Sequence, residues 1–87
     1  MGEDIITPYE EIILELISET GEGLTKDEIQ KYNAERNLGL PEDELDRILK
    51  SLEFRHFLRL RSGLRTKWCI TMSGLLAIEK YSGAGWP

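Results

Sequence analysis

Apolar residues in the first part of the chain recur every three or four positions, which is the spacing of one face of an α-helix. The run Thr7-Pro8-Tyr9-Glu10 is typical of a capping box at a helix start, and the glycines at 21 and 23 favour a helix end. We therefore predict a helix over residues 8–20. Its buried stripe is expected to consist of Tyr9, Ile13, Leu16 and Ile17, widened by Ile12 and Leu14.

The next two apolar segments predict two more helices joined by a short turn. A second capping box, Thr-Lys-Asp-Glu, opens a predicted helix over residues 25–37, and either Asn37 or Gly39 can take the left-handed conformation that ends it. A third helix is predicted over residues 41–55, beginning at a proline. The inward-facing residues are expected to be Ile29 and Tyr32 in the second helix and Leu45, Ile48, Leu49 and Leu52 in the third.

The periodicity changes from helical to alternating in the last third of the chain. Apolar and polar residues alternate over 57–61 and again over 66–71, with Ser62-Gly63 between the two runs, which predicts an antiparallel β-hairpin. Thr71 is suited to cap a short final helix. Apolar residues expected to face the body are Leu58, Leu60, Trp68 and Ile70 in the hairpin and Leu75, Leu76 and Ile78 in the final helix.

All of these elements are expected to share one hydrophobic core within a single domain, residues 1–87. The domain proper is predicted to cover about residues 8–80, and residues 82–87 are interpreted as a tail. No internal repeat or second domain is visible in the sequence. The predicted buried cluster comprises Ile13, Leu16, Ile29, Leu45, Ile48, Leu49, Leu52, Leu60, Trp68 and Ile70.

Composition is typical of an ordinary globular protein. With 40% hydrophobic and 31% charged residues the chain does not fall in the disordered class. No apolar run approaches the roughly 18–20 residues of a membrane span, and the acidic start lacks the regions of a signal peptide, so no membrane association is expected. The single cysteine, Cys69, cannot form an internal disulfide, which favours a reducing, cytoplasmic compartment.

The ionisable residues divide sharply between the two parts of the chain. Residues 1–53 contain 15 acids and five bases, a net charge of −10, whereas residues 54–87 contain one acid and six bases, a net charge of +5, so that the total is −5. Five of the six bases lie between positions 55 and 67, in and beside the predicted hairpin. A basic projection on an acidic body is a candidate nucleic-acid contact. The alternative interpretation is a solvated hairpin without a partner.

The order of helices and hairpin resembles the winged helix-turn-helix family of DNA-binding domains. Residues 12–17 followed by 23–29 are similar to the family's first helix and the start of its second. Residues 39–53 resemble its recognition helix, and residues 68–75 resemble the closing strand with the Leu-Thr-x-x-Gly signature of many such regulators. The resemblance implies an α+β, mostly helical fold with a three-helix core, a β-hairpin wing and a short C-terminal helix.

The resemblance also implies a function, because most members bind double-stranded DNA with the third helix in the major groove and the wing on the backbone or minor groove. It indicates a small transcriptional regulator of the prokaryotic, archaeal or viral type. Acids at the start of the third helix face dense phosphate charge, so we expect the basic wing to make most of the contacts. The expected DNA-binding residues are Arg47, Lys50, Arg55, Arg59, Arg61, Arg65 and Lys67.

A second hypothesis is a winged-helix module that binds protein, since one fold serves both uses. In this hypothesis the acidic third helix docks on a basic partner through Glu42, Asp43, Glu44 and Asp46. The charged hairpin would then only protect a sheet edge against aggregation. A homodimer through the first helix, the last helix or the tail is left open.

The sequence contains no pattern that predicts catalysis or cofactor binding. His56 is the only histidine, and no His, Cys and carboxylate cluster has the spacing of metal ligands. Cys69 has no neighbouring base that would identify it as a nucleophile, and the acidic clusters open helices, where capping accounts for them. We therefore expect a protein that is not an enzyme and uses no metal or cofactor.

Overall fold

In a computed structural model, which describes residues 6–83, the chain forms four α-helices and one two-stranded antiparallel sheet. The elements are α1 (Pro8–Ser18), α2 (Lys26–Arg36), a 3₁₀ turn (Glu42–Glu44), α3 (Leu45–Phe54), β1 (Leu58–Arg61), β2 (Lys67–Ile70) and α4 (Met72–Gly83). This is the predicted α+β class, in an order compatible with a winged helix-turn-helix. Helix α4 extends two residues into the predicted tail, and residues 84–87 lie outside the described part.

Both capping boxes predicted from the sequence are present. At α1 the Thr7 hydroxyl accepts the Glu10 amide at 3.2 Å, and the Glu10 carboxylate accepts the Thr7 amide at 2.8 Å. Thr25 and Glu28 make the same reciprocal pair at α2, at 3.1 and 2.8 Å. The Thr71 hydroxyl accepts the amide of Gly74 at 3.0 Å, which confirms it as the cap of α4. Local side-chain chemistry therefore fixes where three helices begin.

Two helices end in a left-handed residue that is not glycine. Of the two positions that the sequence left open, Asn37 closes α2 with φ 52°, and Gly39 is also left-handed with φ 76°. After α3, His56 has φ 66°, and the amide of Phe57 bonds the carbonyl of Leu52 at 2.9 Å while that of His56 bonds Glu53 at 2.9 Å. This is the Schellman pattern, in which glycine is the usual residue at the left-handed position. The chain thereby reverses from α3 into β1.

The third helix differs from its prediction over residues 41–55. Pro41 is extended and offers no side-chain acceptor, so the first turn tightens into a 3₁₀ segment in which the Glu44 amide bonds the Pro41 carbonyl at 3.0 Å. Regular α-helix begins only at Leu45, whose side chain is fully buried, and stops at Phe54. The first helix is also shorter than predicted, ending at Ser18 ahead of the two glycines.

The hairpin has the predicted pairing with slightly shorter strands. Directly opposed pairs place Leu58, Leu60, Trp68 and Ile70 on one face and Arg59, Arg61, Lys67 and Cys69 on the other. The prediction that Leu60 is buried is wrong, since its side chain is 42% exposed while that of Leu58 is 1% exposed. The reason is that the hairpin leaves the body after Leu58, and every residue from 59 to 66 is exposed.

One core lies between the helices and the base of the hairpin. Seven of the ten residues of the predicted cluster are buried, namely Ile13, Leu16, Ile29, Leu45, Leu49, Leu52 and Trp68. Ile48 and Ile70 are partly buried against the core, as are Tyr32 and Ile12. Tyr9, which the sequence places in the buried stripe of α1, is instead 45% exposed at the start of that helix.

Helix α4 packs on the body through its smallest residues. A side chain at Gly74 would place its Cβ 2.3 Å from the Phe57 carbonyl oxygen, so the backbones approach closely there, and Ala77 is buried nearby on the same face. The predicted packing of Leu75 and Leu76 is wrong, because this close face turns both outward, where they are 43% and 56% exposed. Ile78 is partly buried, as predicted.

The segment before α2 attaches the hairpin to the body. Leu24 and Trp68 exchange two backbone hydrogen bonds of 3.0 and 2.7 Å, so residue 24 extends the sheet by a single pair. Gly23 has φ +90°, and a Cβ there would lie 2.6 Å from the Trp68 carbonyl oxygen. Only glycine can occupy this position without displacing β2. The base of the hairpin is therefore fixed, although its far end is exposed.

Candidate nucleic-acid interface

Four cationic side chains lie together on the exposed part of the hairpin, and we call them the basic surface: Arg59, Arg61, Arg65 and Lys67. Strand pairing puts three of them on one face, with Arg61 directly opposite Lys67. Within residues 6–83 none of the four forms an ion pair with a carboxylate. Like charges directly opposed across two strands destabilise a hairpin, and no described ion pair compensates for this repulsion.

Two open depressions meet at Arg65 in the far part of the hairpin. The tip depression, about 470 Å³, is lined by Glu22, Arg61, Ser62, Gly63, Leu64, Arg65 and Lys67. The side depression, about 440 Å³, is lined by Thr25, Lys26, Asp27, Arg65 and Thr66. The side depression thus runs from the hairpin to the N-terminus of α2, where the helix dipole adds partial positive charge.

The field of the hairpin reaches the start of α2. The hydrogen bond from the Thr25 backbone amide holds the pKa of Glu28 below its usual value, and the charges of Lys67 and Arg65 lower it further. The Glu28 carboxylate accepts the Thr25 amide in the capping box and forms no ion pair with the hairpin. Its negative charge nevertheless weakens the positive field of Lys67 and Arg65. Arg59, Arg61 and Arg65 are exposed and Lys67 is half-buried, so the three arginines are open to an external anion.

Lys26 connects this region to α3. Its Nζ lies 2.9 Å from Oδ2 of Asp46, and this hydrogen bond, helped by the charges of Lys26 and Lys50, lowers the pKa of Asp46. Because Lys26 also lines the side depression with Arg65, the start of α2, the exposed face of α3 and the hairpin lie on one side of the molecule. Lys26 is not among the residues predicted from the sequence, although its position directly after a helix cap places it at a positive helix end.

The two predicted contacts on α3 are both exposed. The Arg47 side chain is 82% exposed and lies 3.8 Å from the Glu44 carboxylate, and Lys50 is exposed one turn further along the helix. Glu42, Asp43 and Glu44 are exposed in the 3₁₀ turn before them. The α3 surface is therefore of mixed charge, in contrast to the hairpin.

Arg55 is the one predicted contact that lies apart from these residues. Its guanidinium is 3.1 Å from the Glu10 carboxylate and 4.8 Å from the centre of the Phe57 ring, and its side chain is only 24% exposed. This arginine joins the end of α3 to the start of α1. We assign it a structural role and leave it out of the candidate interface.

Among residues 6–83, no three His, Cys, Asp or Glu side chains are close enough to hold a metal ion, and no helix there is sufficiently long and apolar to cross a membrane. The Cys69 thiol lies 3.6 Å from the Glu22 carbonyl oxygen at the base of the hairpin, and the His56 side chain is exposed.

Comparisons with protein-family models, with curated proteins and with solved structures found no match to this chain. Any function must therefore be inferred from the arrangement of elements and from the charges of the described surface. Both are specific enough to be tested directly.

Proposed function

We propose that this chain is a winged-helix protein that binds double-stranded DNA mainly through the basic surface of its hairpin, and that it acts as a transcriptional regulator. The observation that carries the proposal is the direct opposition of Arg61 and Lys67 on an exposed hairpin without an ion-pair partner among the described residues. Such a pair costs stability in isolation. A phosphate lying across both side chains converts that repulsion into binding energy.

The shape of the hairpin also supports this proposal. Two strands lie about 4.8 Å apart, so the ribbon is narrow enough to follow a DNA groove or backbone. Its base is fixed to the body by the Leu24–Trp68 pair, which limits the conformational entropy lost when the basic surface meets DNA. Arg65 at the turn extends the same charge to the tip.

In this proposal α3 makes the smaller contribution. Lys26 already neutralises Asp46, and Lys50 stands exposed one turn beyond it. Arg47 and Lys50 are then placed to contact phosphates, while the acidic 3₁₀ turn at 42–44 remains outside the groove because phosphate charge repels it. This differs from deep insertion of the helix N-terminus into the major groove.

The second candidate function is binding of a basic protein, and the exposed acidic turn favours it. Glu42 and Asp43 form no ion pair with the described residues. Glu44 forms a weak one, because its 3.8 Å distance to Arg47 is long and both side chains are exposed to solvent. A basic partner would contact Glu42, Asp43, Glu44 and Asp46. The two candidates use different faces, so substitutions can separate them.

A titration of random-sequence duplex DNA, followed by fluorescence anisotropy, tests the leading proposal. If the four cations of the basic surface contact phosphates, log K against log salt should have a slope of about −3 to −4. Raising salt from about 50 to 200 mM should then weaken binding about a hundredfold. Undetectable binding at the lower salt concentration would reject DNA binding and leave the acidic turn as the candidate interface.

A further inference from the structure

Leu64 is the most exposed large apolar residue among those described. The residue is 107% exposed at the turn of the hairpin. Single exposed leucines are common on protein surfaces. This one differs in its neighbours, because Arg61 and Arg65 line the tip depression with it. An apolar tip is thus flanked by two cations that contact none of the described carboxylates.

The residues beside Leu64 leave it accessible on its N-terminal side. Gly63 does not have a positive φ, and a Cβ built there would meet only the Arg65 carbonyl oxygen at 3.9 Å, an ordinary contact. The fold therefore does not require glycine at this position. What Gly63 and the small Ser62 do provide is free space around the leucine, which a partner can approach closely.

We propose that Leu64 is an apolar wedge that enters the minor groove and inserts between two base pairs of DNA. This inference rests on the proposed function and names the groove and the contact that the tip makes. Arg61 and Arg65 bind the phosphates or the groove walls on either side, and the leucine side chain replaces part of the stacking between two bases. Burial of its exposed apolar surface offsets the free energy of unstacking.

This geometry gives the protein a way to select DNA without base-specific hydrogen bonds. Insertion between base pairs kinks the duplex, and pyrimidine–purine steps such as TA unstack more easily than A-tract steps. The minor groove is about 6 Å wide, which admits a loop tip but not a helix. The hairpin should therefore prefer flexible steps and should bend the DNA that it binds.

The test uses duplexes of about 20 base pairs that carry 2-aminopurine within a central TA step, whose fluorescence rises when stacking is lost. Wild-type protein should raise the fluorescence and should bind this duplex about five- to tenfold more tightly than an A-tract duplex. Leu64→Ala should lose both effects but keep the salt slope, because no charge changes. Leu64→Phe should keep both the fluorescence increase and the preference for the TA duplex, since an aromatic ring can also insert between base pairs.

Leu76→Ala is the matched control, because Leu76 is a 56% exposed leucine on α4 that lines neither depression, and its replacement should leave both effects unchanged. Equal fluorescence and equal preference in wild type and Leu64→Ala, with binding still dependent on Arg61, would overturn the wedge and leave the proposed function standing. Absence of binding to either duplex by wild-type protein would overturn both.

Discussion

Glu10 and Arg55 form a partly buried ion pair that joins the first turn of α1 to the residue after α3. Nη1 of Arg55 lies 3.1 Å from Oε1 and 3.2 Å from Oε2 of Glu10. Oε1 of the same carboxylate accepts the Thr7 amide. Glu10 thus caps a helix and holds a contact between residues 45 positions apart in the chain.

The first prediction is that Arg55→Ala destabilises the fold without altering DNA binding. Removing one partner of a fully buried pair costs about 3–5 kcal/mol, and the 24% exposure of Arg55 reduces this to about 1–3 kcal/mol. Urea denaturation would measure the loss. Arg59→Ala is the control, as an exposed arginine without a described ion pair should change stability by less than about 0.5 kcal/mol. Equal midpoints for the two variants would contradict the assignment of Arg55.

The second prediction concerns Arg61, which should behave as a phosphate contact. Arg61→Ala should flatten the slope of log K against log salt by about one and weaken binding similarly for all sequences. Arg36→Ala removes the same charge at the far end of α2, where Arg36 pairs with Glu19 at 3.0 Å, and should leave the slope unchanged. Equal effects of both variants would mean that only net charge matters, not the hairpin.

The third prediction uses Asp43 to separate the two candidate functions. Asp43→Asn removes an exposed carboxylate from the 3₁₀ turn and keeps its size. Because that carboxylate repels phosphate, DNA binding should be unchanged or tighter. A basic protein partner would bind more weakly to the same variant. Weaker DNA binding by Asp43→Asn would contradict our orientation of α3, since a contact from this carboxylate to a cytosine amino group would then be required.

The fourth prediction is that two glutamates affect stability with opposite signs at neutral pH. The hydrogen bond from the Thr25 amide lowers the pKa of Glu28, so its contribution is present above the unfolded pKa of about 4.3 and is lost as pH falls through the folded pKa. Burial, with repulsion from Glu11 and Glu19, raises the pKa of Glu15, so its ionisation costs stability as pH rises through the folded value.

Consequently Glu28→Gln should lower the urea midpoint at pH 7, and Glu15→Gln should raise it. As the pH falls through the folded pKa of each carboxyl, both groups become protonated and both differences should shrink. Midpoint differences that are as large in acid as at pH 7 would show that the substitutions act through packing and not through charge.

The fifth prediction is that His56→Gly stabilises the protein. His56 has φ 66°, a conformation that costs a residue with a Cβ about 1 kcal/mol or more relative to glycine. The greater freedom of glycine in the unfolded chain offsets part of this gain, so the net increase should be about 0.5–1 kcal/mol. Lys31→Gly, an exposed position inside α2, should instead lose about 1 kcal/mol. A destabilised His56→Gly variant would indicate that the histidine ring makes a contact of its own.

The sequence predicted best the features that depend on neighbouring residues. The capping boxes at Thr7 and Thr25 need only four consecutive residues, and the alternation in the hairpin fixes which residues share a face. How far the hairpin projects depends on contacts with the rest of the fold, so Leu60 could not be distinguished from Leu58. The close contact between Gly74 and the Phe57 backbone, which turns Leu75 outward, likewise depends on the rest of the fold and could not be predicted from the local sequence.

The candidate site shows a similar limit. Their charge groups Arg55 with Arg61 in the sequence. In the fold, Glu10 lies beside Arg55, whereas Arg61 forms no ion pair with a described residue. Lys26 was not predicted as a site residue because its neighbours are distant in the chain. It pairs with Asp46 of α3 and lines the side depression together with Arg65 of the hairpin. The local sequence pattern identified the basic segment, and tertiary contacts determined which of its cationic side chains are without an ion pair among the described residues.

The Leu24–Trp68 pair also has a consequence for the order in which the protein folds. It closes a loop that contains α2 and α3, and closing a loop of that length is entropically unfavourable and slows folding. During synthesis on the ribosome, α1 to α3 emerge before Trp68, which completes their core. The three helices therefore remain incompletely packed until β2 has been synthesised.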